Sequence, residues 1–170
     1  MNVYRNIATD VTPDDFVRVG AVERQRRLTR GDVLFTGSSE TPGECGMSSV
    51  VTTEPPEALY LNSFCIGYRL NNPDLVDPAF TKHLLRSASM RRQIVRTSNG
   101  VTRFNVSKAR LSKVEMPIPP LGEQRRLAGI IDKFDALAND LSVGLPAELA
   151  ARRRQYEYYR DRLLTFEEAA

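Results

Sequence analysis

Residues 121–166 read LGEQRRLAGIIDKFDALANDLSVGLPAELAARRRQYEYYRDRLLTF, and an apolar seam runs through them from end to end. In steps of three and four it takes in Leu127, Ile131, Phe134, Ala138, Leu141, Leu145, Leu149, Arg152, Tyr156, Tyr159, Leu163 and Phe166, crossing Gly144-Leu145-Pro146 without losing register. Such spacing keeps one face of a helix aimed at a partner helix, and a single extra four-residue step only relaxes the supercoil locally. The pattern predicts one helix of about 46 residues and roughly 70 Å, kinked where Pro146 removes a backbone donor. A body of about 120 residues cannot cover so long a rod, so the simplest partner is a second copy, antiparallel across a twofold axis. In that homodimer the interface is Leu127, Ile131, Phe134, Leu141, Leu145, Leu149, Arg152, Tyr156, Tyr159 and Leu163, with Arg152 answered by acids such as Glu123 of the other chain.

Working outward, Pro119-Pro120 forms a stiff junction that no helix continues through, so it divides the rod from a body upstream. In that body Val33-Leu34-Phe35-Thr36 follows the Gly31-Asp32 turn as a buried strand, and Gly37 to Gly46 reads as an exposed loop. Val50 to Thr53 and Phe64 to Leu70 are further strands, the second alternating Phe64, Ile66, Tyr68 and Leu70. Asp77-Pro78 starts a helix, with Asp as cap and Pro at the first position, and Phe80, Leu84, Ala88 and Ile94 carry its inward face to about Thr97. Asn99-Gly100 turns the chain, Ser107 caps a short helix over Lys108 to Leu111, and Val114 to Ile118 reads as a strand. The expected class is therefore α+β: a mixed domain followed by a long C-terminal helix.

The 170 residues allow one compact domain plus an extended element. No apolar run approaches the roughly 18 residues a membrane span needs, and the opening residues lack the order of a secretion signal, so a cytoplasmic location is expected. Cys45 and Cys65 form no CxxC pair, and with His83 as the lone histidine no metal site is expected. None of Lys82, Lys108, Lys113 and Lys133 has an acid two positions before it, as a common metal-dependent nuclease requires. A dinucleotide-type glycine fingerprint and a nucleophile elbow are also missing, which predicts a non-catalytic chain. The net charge of +3 is modest, but its distribution is not even. From Pro78 to Val114 there is no acid, while Lys82, Arg86, Arg91, Arg92, Arg96, Arg103, Lys108, Arg110 and Lys113 all fall there. Such a segment is either a solvated face answered by acids elsewhere in the fold or a surface for a polyanion.

Four stretches, in this order and spacing, carry a resemblance: Gly31 to Thr36 with its Ser/Thr/Gly loop; Gly100-Val101-Thr102-Arg103-Phe104-Asn105; Met116-Pro117-Ile118-Pro119-Pro120-Leu121-Gly122-Glu123-Gln124; and Ala151 to Asp161 with its Arg-Gln-Tyr-Glu-Tyr-Tyr-Arg run. Together they resemble the specificity subunit of type I restriction-modification systems. The resemblance implies a target recognition domain over 1–118, beginning later than the family's domain does, and a long helix over 119–170 for dimerisation and spacing. Full-length members look like two such domains and two antiparallel helices, so this chain resembles half of one. The implied function is sequence-specific reading of double-stranded DNA without catalysis, at two inverted half-sites read by a homodimer. Modification and restriction subunits are the implied partners, and S-adenosylmethionine, ATP and magnesium ion belong to them. Arg91, Arg92, Arg96, Asn99, Thr102, Arg103 and Lys108 straddle the Asn99-Gly100 turn and are the expected DNA contacts, with Ser38, Ser39 and Thr41 offering small donors from a second loop. The other reading of the hairpin is that Arg103 and Asn105 tie the loop to its own backbone. The other reading of the whole chain is a clipped fragment that pairs helices but no longer reads DNA.

Overall fold

The computed structural model describes residues 3–9, 26–140 and 146–165, with the backbone alone at 139–140 and 146–149. Its centre is a three-stranded antiparallel sheet, ordered β3 (Ser48–Val50), β1 (Val33–Thr36), β4 (Cys65–Tyr68). Val33 stands opposite both Val50 and Tyr68, and Thr36 opposite Cys65. A second three-stranded sheet is ordered β2 (Ser38–Ser39), β6 (Phe104–Val106), β5 (Ser98–Asn99). Because Gly37 alone separates β1 from β2, one continuous run of chain serves both sheets.

The strand readings hold for β1 and in outline for β4, and three others change. Gly37 to Gly46 is not an exposed loop: it contributes β2 and a short 3-10 turn at Pro42–Glu44, and it buries Cys45 and Gly46. The strand expected over 50–53 lies earlier, at Ser48–Val50, and Val114 to Ile118 forms no strand. In β4 the alternation fails at its first member, since Phe64 is 79% exposed while Ile66 is buried.

Helix α1 (Pro78–Leu84) begins as read, with the Asp77 carboxylate accepting from the amides of Ala79 and Phe80. It does not run to Thr97. A second cap, Ser87, accepts from Met90 N and starts α2 (Ala88–Val95), so the expected single helix is two joined by a short turn. A serine that can satisfy free amides at a first turn competes with continuing the helix through it. Short α3 (Lys108–Leu111) is capped by Ser107.

The rod is corrected as well. The described residues of this stretch form α4 (Leu121–Asp140) and α5 (Pro146–Leu163), and α5 returns along α4. Phe134 and Tyr159 stack with ring centroids 6.4 Å apart, whereas 25 residues of continuous helix would hold them roughly 37 Å apart. Leu164, at the far end of α5, is buried in the main core with Leu127 and Ile131. Pro146 stands at the first position of α5, where its missing donor costs nothing. A 3-4 seam serves two arms of an antiparallel pair as well as one rod, and for that reason its unbroken register did not separate the two arrangements.

The first half of α4 belongs to the body. Leu127, Ala128 and Ile131 share one core with Phe80 and Leu84 of α1, Met90 and Ile94 of α2, and Val33, Phe35 and Val50 of the central sheet. Fully buried Gln124 locks the junction: its Oε1 accepts from Asp77 N at 2.8 Å, and its Nε2 donates to Leu75 O at 2.9 Å and Pro119 O at 2.7 Å. At the other end Asp161 accepts from Ala88 N at 3.1 Å, which ties α5 to the start of α2.

Candidate nucleic-acid interface

Strands β5 and β6 form a hairpin whose tip is Gly100 to Arg103. Gly100 has φ +138°, and a Cβ there would fall 1.9 Å from Arg103 O, so this turn admits only glycine. Beyond it Val101 is 93% exposed, with Thr102 and Arg103 exposed beside it. Pairing sets Asn99 opposite Asn105, and Asn105 opposite Ser38, so three small polar side chains stand in a row across the sheet. Arg110 of α3 donates through Nη2 to Asn99 Oδ1, holding its amide in one orientation. Strand pairing thus brings Ser38 of the second loop beside the Asn99 end of the hairpin.

The arginines divide sharply. Arg92 and Arg96 are exposed on and just after α2, Lys108 is exposed at the start of α3, and none of these three cationic groups has a partner among the described residues. Arg91 is turned inward. Its guanidinium donates to Gly46 O at 2.6 Å, Cys45 O at 2.8 Å and Gly43 O at 2.9 Å, and burial pushes its pKa down. With three of its five N–H groups taken by these carbonyls, Arg91 fixes the 43–46 loop and leaves little of its fork for a base or phosphate. Arg86 does the same for the amino-terminal segment, donating to Ser48 O, Val3 O and Tyr4 O, and burial lowers its pKa to about 10.

Ser39 and Thr41 are engaged with Glu44 at the surface. Ser39 Oγ donates to Glu44 Oε2 at 3.3 Å and accepts from Thr41 N, while Tyr4 Oη donates to Glu44 Oε1 at 2.6 Å. Hydrogen bonds from Tyr4 and then Thr41 hold the Glu44 carboxyl below its usual range. An ionised carboxylate at that loop repels phosphate, which disfavours Ser39 and Thr41 as phosphate contacts. Asn105 bears out the local-tie reading, since its Nδ2 donates to Arg103 O at 3.4 Å, but the Arg103 guanidinium has no such tie. Arg110 went unselected by sequence reasoning, although it lay inside the acid-free window that pointed here.

Of the residues read as a dimer interface, Leu127 and Ile131 are 2% and 1% exposed within the chain itself and are covered by α1 and the core. Leu163 packs against the same core, Tyr156 is half-buried with Arg160 5.6 Å above its ring, and Phe134 and Tyr159 stack on each other. Burial, with Asp135 next, raises the Tyr156 pKa to about 12. Arg152 is exposed. Leu141 and Leu145 lie outside the described residues, as does the side chain of Leu149.

A family model described as type I restriction modification DNA specificity domain matches residues 25–151. The chain is 38% identical over 81 residues to the EcoR124I/EcoR124II type I restriction enzyme specificity subunit of Escherichia coli, covering 48% of this chain and 20% of that subunit. It is 31% identical over 137 residues to a putative type I restriction enzyme specificity subunit of Haemophilus influenzae, covering 81% of this chain and 32% of that one. The MpnII specificity subunit of Mycoplasma pneumoniae is 35% identical over 68 residues, which are 40% of this chain and 21% of the relative. The chain thus spans a third or less of the length of these relatives. With the family model running from before β1 through α4 and into α5, the chain belongs to the type I restriction modification DNA specificity domain family.

Proposed function

We propose that this chain is a non-catalytic, sequence-specific DNA-recognition module of a type I restriction-modification complex, reading the duplex with the β5–β6 hairpin. The observation that carries the reading is the hairpin tip. A glycine-enforced turn presents Arg103 and Thr102 without partners among the described residues, beside an Asn99 amide held by Arg110. Arginine and asparagine are the side chains whose paired donors and acceptors match guanine and adenine edges in the major groove. Arg92, Arg96 and Lys108 flank the tip as phosphate contacts that fix register without carrying sequence information.

The finer reading concerns assembly. Modification and restriction subunits supply methyl transfer and cleavage, with S-adenosylmethionine, ATP and magnesium ion in their sites. Pairing with a second copy, which would present two hairpins to inverted half-sites, falls to the exposed apolar surface of the helical pair, Phe134, Leu137, Tyr158 and Tyr159, in place of the buried Leu127 and Ile131. Selection of bound oligonucleotides from a random duplex pool, with purified modification subunit added, tests the reading. A bipartite inverted consensus is expected. Retention of the pool with no consensus, or none retained, refutes sequence reading by this chain.

A further inference from the structure

The end of β1 away from the hairpin carries a second basic surface. Asp32, just before β1, is 4% exposed and is gripped by Arg69, whose Nε and Nη2 donate to its two oxygens at 2.7 and 2.6 Å. The same Nη2 donates to Arg27 O at 3.1 Å. Leu61 N donates to Arg26 O at 3.0 Å, Leu28 N donates to Leu59 O at 2.8 Å, and Arg27 pairs antiparallel with Tyr60. The backbone of 26–28 is therefore pinned from two sides. Yet the guanidiniums of Arg26 and Arg27 are exposed, have no partner among the described residues, and border an open cleft of about 510 Å³. A pinned backbone under two guanidiniums that have no partner among the described residues favours an anion, because less freedom remains to be lost on binding.

The two basic surfaces are joined. Tyr68, beside Arg69, donates its hydroxyl to Lys108 O at 2.8 Å, and Arg110 in the same short helix reaches Asn99 at the hairpin. Between them runs β1, four residues long, or roughly 13 Å at about 3.3 Å per residue. β1 thus leads from the Arg26-Arg27 surface to the sheet that carries the hairpin.

We propose that Arg26 and Arg27 form a phosphate-binding clamp on the sugar-phosphate backbone of the duplex that the hairpin reads, with the Asp32–Arg69 pair as its positioning element. The proposal rests on the DNA-reading function above. The test is a titration of the full chain with labelled mixed-sequence duplex across a salt series, comparing the unmodified chain with R26A/R27A and R26K/R27K. Two lost phosphate contacts lower the slope of log affinity against log salt by about 1.8 and weaken binding roughly tenfold, equally for all sequences. The lysine pair is expected to keep the slope, and neither pair to move the melting temperature, since neither guanidinium holds the fold. An alanine pair with unaltered slope and affinity overturns the clamp while leaving the hairpin's role intact. Failure of the lysine pair to restore the slope, or a fall in melting temperature that accompanies the loss, also overturns it. Absence of any duplex binding by the unmodified chain overturns the DNA-reading function and the clamp together.

Discussion

The helical wall of this molecule and its β5–β6 hairpin are built with the same cationic side chains and put them to opposite uses. Along the wall, Arg86 and Arg91 point into the body and donate to backbone carbonyls of segments distant in sequence. On the hairpin and beside it, Arg92, Arg96 and Arg103 point outward without partners among the described residues. The guanidinium explains both. It offers five donors in a fixed plane, enough to gather several carbonyls where loops must be bolted down, and the same fork matches phosphate and base edges where it is left free. A count of basic residues therefore overstates a binding surface. What decides is whether the fold has already used the donors.

Removing a bolt from the wall has the largest expected effect. Arg86→Ala leaves the carbonyls of Ser48, Val3 and Tyr4 without their donor, and should cost about 3 kcal/mol of stability. Urea unfolding measures this, and a loss under about 1 kcal/mol would equate the wall with the exposed surface. Arg103→Ala sharpens the contrast from the other side. It should leave the urea midpoint within error yet weaken cognate duplex binding by about 2 kcal/mol, roughly 30-fold, and relax the preference at one base position. Equal losses for cognate and mismatched duplexes would demote Arg103 to a phosphate contact. Smaller still is Tyr159→Ala, which removes the stack on Phe134 at 6.4 Å. It should cost about 1 kcal/mol. No cost at all would mean that α5 leaves α4 in solution and that the rod describes the chain better than the folded-back pair does.

Much of this division was legible in the sequence, though not by the signals first used. The caps Asp77 and Ser107 are short-range chemistry, in which a side-chain oxygen meets amides two or three residues on, and both appear where read. The Asn99-Gly100 turn is legible because a single φ of +138° admits glycine alone. Arg91 was misplaced by charge counting, but spacing held the answer. It stands four residues after the cap Ser87 and three before the buried Ile94, on the inward face of α2, whereas Arg92 is one step round the helix toward solvent. What spacing could not reveal was the partner of a seam. Leu127 and Ile131 are equally good knobs for α1 of their own chain or for a second copy, and only the contacts distinguish those choices. Gln124 shows the same limit. Its place at the start of a helix was plain, but its grip on Asp77, Leu75 and Pro119 is long-range and leaves no periodic trace.

The smallest effect tests the wall through its one titrating member near neutral pH. His83 of α1 is 1% exposed and shares a 2.7 Å hydrogen bond with Asp132 of α4, to which Lys82 also binds at 2.7 Å. Burial lowers the imidazole pKa from its ordinary 6.5. The Asp132 contact raises it, Lys82 lowers it and Asp135 raises it, and the net shift is downward. The neutral ring then carries its proton on Nε2 and donates to the carboxylate. Burial opposes ionisation of Asp132, but hydrogen bonds from Lys82 and His83 outweigh it and hold its carboxyl below the usual range, so the acceptor stays charged. Below pH 6.5 the unfolded chain takes up a proton at His83 that the folded chain resists, so the folded state loses stability as pH falls from about 6.5 toward the lowered folded value. The slope cannot exceed about 1.4 kcal/mol per pH unit and ends once the folded ring is itself protonated. His83→Gln keeps an uncharged donor toward Asp132 and removes the titration. The urea midpoint of the unmodified chain should therefore fall across this window while that of the Gln variant stays level. Parallel decline of the two would assign the acid sensitivity to carboxylates elsewhere and leave the α1–α4 contact indifferent to the histidine's charge.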